Sequence, residues 1–541
     1  MNRTYEMTYE TGEKEGLLKT FTKPNGATNK FTYDDLGLLV KDENAEGGSK
    51  EIIQTGVEGS GKVEVKTAMG RVTSYETNTG ESSSASDSNK IWENSGATGC
   101  KTKTTFSDDY NTEILKPNGM RAIIKKIPSR FGEGVKDTLE VRAIFPSGRE
   151  MIISTEKEIT QEDITDPLSV TTIKTTTTIN QNRSVIRFYD KINKTLTTTS
   201  PMNRSEKSYF DDKNRVIKVE RAGIADVNYE YDDKGRLKKI TQKDRFVEFN
   251  FNNDSGYLET VEDNAGNIEE YIYDEAGRVI NTRTNNDVNS DFKVDYDENN
   301  NASKITPAEN KEHNFTYDLV DRVKTYSSPK IGEENNVTSY DYNLDGQSIL
   351  TTTPDTNSIV YNYNELTARL ESVNYVALEG NWDTEDLEVT KTINYIYDTD
   401  KDQLTSVSLD NSTLSYKYDG GLLLTENSST YNSKLEWVYD DDLRVEEIKL
   451  TTNSDISSAS MSNYGYNDDN QLTSAGEMSY IYDETTGFLS QSSIGSFNET
   501  YNYNDYGEIT SITNGKYDFS YTYDDNARIK TINNVEYFYD M

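Results

Sequence analysis

The chain has 541 residues, a formal net charge of −37 and 33% hydrophobic residues, against roughly 45–50% in an average globular chain. That charge argues against nucleic acid and anionic membrane surfaces, both of which are bound through cations, and the lone Cys100 excludes an intrachain disulfide. Disorder, the usual reading of such a composition, is opposed by 38 tyrosines and by alternating Thr, Val and Ile runs that suit half-buried strands.

The opening residues, MNRTYEMTYETGEKEG, lack the apolar core of a signal peptide, and no apolar span is long enough to cross a bilayer. FTYDDLGLL (31–39) introduces a phrase that dominates the second half of the chain. Before that half, the markers are KPNGA (23–27), KPNGM (116–120), FPSGR (145–149) and SPMNR (200–204), set between alternating runs such as VTTIKTTTTI. Pro followed by Asn or Ser and Gly is a turn signature. GVEGSGKV (56–63) imitates a phosphate-binding loop but places Val63 where Ser or Thr would hold Mg²⁺, and VEVKT then reads as a strand rather than a helix, so a Gly-rich hairpin turn is expected. GESSSASDSNKIWENSGATG (80–99) reads as an exposed loop. Six of the nine prolines lie at or before Pro201, so the chain divides into a divergent part, 1–206, and a regular part, 207–541.

From Phe210 to Tyr539 the phrase recurs sixteen times, about every 22 residues. The clearest copies are YEYDDKGRL, with Tyr229, Tyr231, Asp232, Gly235 and Arg236, and YIYDEAGRV, with Tyr271, Tyr273, Asp274, Gly277 and Arg278. Tyr317 and Asp318, Tyr482 and Asp483, Tyr503 and Gly507, and Tyr523 and Asp524 hold matching places. Aromatics at i and i+2 share one face of a strand. The Asp or Asn that follows bonds nearby backbone N–H groups and starts a turn, and Gly supplies a position that tolerates positive φ. The next alternating stretch is the return strand, so each copy is a β-hairpin that needs its neighbours for stability. An insert around 376–391 reads as an extended hairpin or a short helix.

The length holds about 25 such units, or roughly 50 strands, a sheet on the order of 240 Å long at ~4.8 Å per strand. Sheets twist and curl, so the expected form is a hollow band, either one ring about 75 Å across or about two turns half as wide.

Tyr-x-Tyr-Asp, a short Gly turn and Arg-Leu/Val resemble the YD-repeat, or RHS-repeat, family, best at 229–237 and 271–279. KPNGMRAIIKKIPSRFGEGVKDTLEVRAIFPSGRE is similar to a stretch preceding the regular repeats in bacterial members. The resemblance implies an all-β fold: tandem β-hairpin YD repeats coiled into a spiral, hollow shell or open barrel. Bacterial members include toxin-complex cocoons and polymorphic toxins that hold a C-terminal effector inside, and animal teneurins use a similar shell in adhesion. Many bacterial members end in an Asp-Pro-x-Gly plug. Here Asp-Pro occurs only at Asp166-Pro167, followed by Leu168 and Ser169, and the sequence stops at YFYDM, which reads as a piece of a longer shell or a short open one.

Chemistry-bearing residues are scarce. His313 is the only histidine and is expected at the surface, and acidic pairs such as Asp440-Asp441-Asp442 recur too often to mark one site. No catalytic, metal or cofactor residue is assigned. The expectation is a non-enzymatic shell without a cofactor that encloses or carries protein cargo, a toxin or effector domain, with further shell segments as other partners. It would be secreted or at the cell surface, with neither nucleic-acid binding nor membrane insertion. The alternative is a cell-surface adhesin that binds protein or glycan through its outer wall.

Overall fold

The computed structural model describes residues 4–57, 60–79, 90–107, 110–180, 182–308, 310–330, 332, 336–378, 387–452 and 460–539. These residues form 47 strands and two short 3₁₀ turns, Gly12–Lys14 and Val288–Ser290. Each strand pairs antiparallel with the one before it and the one after it, giving a single ribbon of hairpins in strict sequence order.

The ribbon coils on itself. Side chains bridge turns of the chain 261 to 304 residues apart, from Lys23–Asp321 and Arg71–Asp345 near the start to Arg204–Asp469 and Arg245–Glu508 near the end. The bridged turns lie 23 or 25 strands apart. This is the two-turn form of the band, with a diameter of roughly 35–40 Å at ~4.8 Å per strand.

The wall is one sheet thick. Its accessible surface of 33097 Å² compares with roughly 20,000 Å² for a compact protein of 61.4 kDa. Among the described residues no large side chain is fully buried, and the buried apolar set is Ala27, Phe145, Val170, Val373 and Val376. Stability therefore comes from neighbour-to-neighbour stacking along the ribbon rather than from a central core.

Three local readings are sharpened. Residues 56–63 lie in a hairpin of strands Ser49–Val57 and Ser60–Thr67, with Gly56 opposite Gly61, so no helix N-terminus faces a phosphate there. Within 80–99, Lys90–Ser95 is a strand paired on both sides, because IWENS alternates like its neighbours, while 80–89 lie outside the described residues. The insert around 376–391 is an extended hairpin, with strand Leu370–Leu378 pairing with Leu387–Asp398, and 379–386 lie outside the described residues.

Candidate functional site

Each repeat is a set of bolts between adjacent hairpins. The second aromatic ends its strand at a β-bulge, where Tyr231 opposes Leu237 although Glu230 opposes Lys239. The Tyr231 hydroxyl crosses to the previous hairpin and donates to the Val216 carbonyl at 2.8 Å. The same bond runs from Tyr317 to Ala302, Tyr482 to Leu472, Tyr503 to Leu489 and Tyr523 to Ile509. Asp232 closes the turn. One carboxylate oxygen accepts the Arg236 backbone N–H at 2.8 Å and the other its Nε at 2.7 Å, while Gly235 takes φ +88°.

The fixed guanidinium becomes a platform for the next repeat. Arg215 lies 4.3 Å from the Tyr231 ring centre, Arg236 4.2 Å from Phe251 and Arg278 4.4 Å from Tyr296. Where the repeat replaces Arg by an aromatic, the ring takes over: Tyr257 stacks on Tyr273 at 4.9 Å, and Phe488 packs on Tyr503 at 4.8 Å. The Arg278 side chain holds the Asp274 carboxyl down to about 2. At Asp232 and Asp524 burial opposes ionisation, but bonds from Arg236 and Arg528 prevail and lower both. Asp318 pairs with Arg322, whereas Asp483, lacking an Arg at that place, accepts the N–H groups of Thr485 and Thr486.

The signature residues do not converge on one point. They are distributed around the coil on one face. Tyr229 and Tyr231 are half-buried while Asn228 and Glu230 are exposed, and His313, Phe315 and Tyr317 alternate likewise with exposed Asn314 and Thr316. Between paired tyrosines, Ile396 and Ile481 point the other way and are 58% and 53% exposed. Side chains converge and shield one another on the concave side of a curved sheet and splay apart on the convex side, so the aromatic face lines the lumen. Phe292, Ile305, Phe315, Tyr326 and Tyr340, from five successive strands, frame an inner-wall concavity of about 640 Å³. His313 shares it, half-buried, with its Nδ1 2.8 Å from the Tyr326 hydroxyl and its ring stacked on that tyrosine, so the surface it occupies is the inner wall.

A second feature was not read from the sequence. Where the two turns of the coil meet, the inter-hairpin turns of the first dock on the Tyr-Asp turns of the second. Thr67, Met69 and Arg71 surround Asp345: the hydroxyl and guanidinium bond one carboxylate oxygen at 2.8 and 2.9 Å, and the Met69 N–H bonds the other at 3.3 Å. Ser200, Met202 and Arg204 repeat the arrangement on Asp469 at 2.8, 3.0 and 2.7 Å. Each arginine also reaches a carbonyl of the next Tyr-Asp turn, Arg71 at Glu365 and Arg204 at Glu484. Arg183 and Arg245 also bridge two such turns, while Arg149 meets the carbonyls of Tyr439 and Asp440. The signal was present: Arg stands fifth in TAMGR, FPSGR and SPMNR, and an acid stands third in NLD and NDD.

Among the described residues no group of three His, Cys, Asp or Glu side chains is placed to hold a metal, and no helix is long and apolar enough to cross a membrane. Residues 1–468 and 462–540 match the family model for the teneurin YD-shell. No curated protein matches the chain. Similar solved structures include a TcdB2-TccC3-TEV crystal structure, with 13% identity and TM-score 0.44 over 97% of this chain and 33% of that one. A TcdB2-TccC3-Cdc42 crystal structure has 12% identity and TM-score 0.42 over 97% and 33%, and a Photorhabdus luminescens Tc holotoxin pore has 12% identity and TM-score 0.42 over 97% and 34%. The chain spans about a third of the length of these solved chains.

Proposed function

The chain belongs to the teneurin YD-shell family, and from that premise we propose that its ribbon is a non-enzymatic wall that encloses a polypeptide cargo, a toxin or effector domain, outside the producing cell. The observation that carries this reading is the inner face. Aromatic side chains line it repeat after repeat, they are only half-buried, and the wall is one sheet thick. A large apolar surface left open to solvent is unfavourable, and a chain that presents apolar segments covers it. The polar outer face keeps the assembly soluble through its negative charge.

Containment acts by exclusion: the wall separates the cargo from water, proteases and the cell. The test is limited trypsin digestion of the protein with its natural flanking sequence, followed by mass spectrometry. Peptides from a non-wall segment are expected to resist cleavage while the wall is intact and to be cut at once in denaturant. Prompt cleavage of every non-wall segment under native conditions would overturn the reading.

A further inference from the structure

The two turns of the coil are held together differently from the strands within each turn. Within the ribbon every strand is hydrogen-bonded to its neighbours through the backbone. Between the turns, among the described residues, a single backbone hydrogen bond is made, from the Ala225 N–H to the Asp505 carbonyl at 2.7 Å. Nearly everything else in the seam is a side-chain contact, and most of it is charged: Lys23 to Asp321, Arg71 to Asp345, Arg183 to Asp442, Arg204 to Asp469, Arg245 to Glu508.

Resting on the containment reading, we propose that this polar seam is the line along which the shell opens, and that its register sets the bore: the turns part there while every hairpin stays folded and paired. Rupture between two strands would strip a row of backbone N–H and C=O groups of their partners at once. Parting the seam instead exposes guanidinium and carboxylate groups that water solvates immediately, and it leaves the ribbon's ladder untouched. Charged contacts of this kind fix position more than they add net stability, because the desolvation cost of each pair offsets its attraction. That is the chemistry of a joint that closes in one register and reopens.

Each first-turn arginine that spans two Tyr-Asp turns, as Arg71 spans those around Asp345 and Glu365, chooses which strands of the second turn stand over which strands of the first. A slip of one hairpin adds or removes two strands, changing the circumference by about 10 Å and the bore by about 3 Å. The same joint that opens the wall therefore determines the width of what fits inside.

Cys100 makes the test possible, since its Sγ lies in the seam 3.0 Å from the Thr399 carbonyl of the other turn. Hydrogen exchange is followed amide by amide in the whole chain, in three forms: unmodified, Arg71→Glu with Arg204→Glu, and Thr399→Cys locked to Cys100 by oxidation. The charge reversals are expected to speed exchange at Met69, Met202 and Ala225 by roughly ten-fold or more, with amides inside the strands changing less than about two-fold. The oxidised lock is expected to slow the seam amides below the unmodified rate and to lose this effect on reduction. If strand amides accelerate together with seam amides, opening is unfolding of the wall and the proposal fails. It fails equally if the lock leaves seam exchange unchanged, an outcome that does not depend on the charge-reversed form folding. Neither readout requires cargo, so failure of the containment reading leaves this result standing, and the converse holds.

Discussion

At the residue scale the tyrosine is a bolt as much as an apolar ring. Its ring sits on the arginine of the previous repeat, and its hydroxyl donates to the Val216 carbonyl, which lies beyond Lys218–Asn228, the last pair between the two strands. Tyr231→Phe keeps the ring and removes the bond from the Val216 carbonyl. The loss is worth about 1 kcal/mol for a neutral hydrogen bond, and amides of the strands Val216–Arg221 and Ile224–Tyr231 are expected to exchange about five times faster. Unchanged exchange would reduce the hydroxyl to a bystander. The pairing of Tyr229 with Tyr231 on one face was legible because period-two alternation is strict in a strand. The destination of the hydroxyl was not, because it lies on a different hairpin, 15 residues away.

At the scale of the element, the Tyr-Asp turn is a left-handed slot that the sequence fills in several ways. Gly235, Gly277, Gly346 and Gly507 were readable as positive-φ positions, and they take φ +88°, +78°, +85° and +83°. The same slot holds Asn214, Asp321, Ala368, Leu443, Asn470 and Ala527, all with φ between +60° and +68°. Those residues were invisible as slot fillers, since nothing local marks Leu or Ala as left-handed. The hairpin tolerates them because the Asp or Asn at the turn's start and the flanking strands determine the backbone. A Cβ in the left-handed region costs on the order of 1–2 kcal/mol, partly offset by the greater freedom of glycine in the unfolded chain. Leu443→Gly and Ala527→Gly are therefore expected to stabilise their hairpins and Gly235→Ala to destabilise its own, each by about 1 kcal/mol. Local hydrogen exchange in those turns reads the sign, and a uniform loss in all three variants would show that side-chain contacts outweigh backbone strain. The inter-hairpin turns teach the complementary lesson. KPNGA, FPSGR and SPMNR were legible as turns, but their partners lie 265 to 298 residues away, so the recurring Arg and acid could not be matched to each other without the coil.

At the scale of the whole molecule, repetition made the coil legible, while the choice between one wide ring and two narrow turns required the seam. Repetition also gives the tyrosines of the inner wall a shared response to pH. Fourteen inner-wall tyrosines have phenol pKa values pushed up, with burial as the first cause in every one. Tyr271 is raised to about 12, with a further contribution from its bond to Glu269. An unfolded tyrosine ionises near pH ~10. The folded wall holds these protons more tightly than the unfolded chain does, so stability falls with rising pH wherever the unfolded chain has already released them. The contribution is complete below about pH 10 and is lost as pH rises through the folded-state values. Because each ring supports the next repeat, the losses propagate along the ribbon rather than remaining local. Absorbance at 295 nm and far-ultraviolet circular dichroism, followed together from pH 8 to pH 13, are expected to show the inner-wall tyrosines ionising late, in one steep step that coincides with loss of the β signal. Gradual ionisation near pH ~10 with the β signal intact would mean that the tyrosines are free to titrate in the folded wall, and that the aromatic face is not what holds the ribbon together.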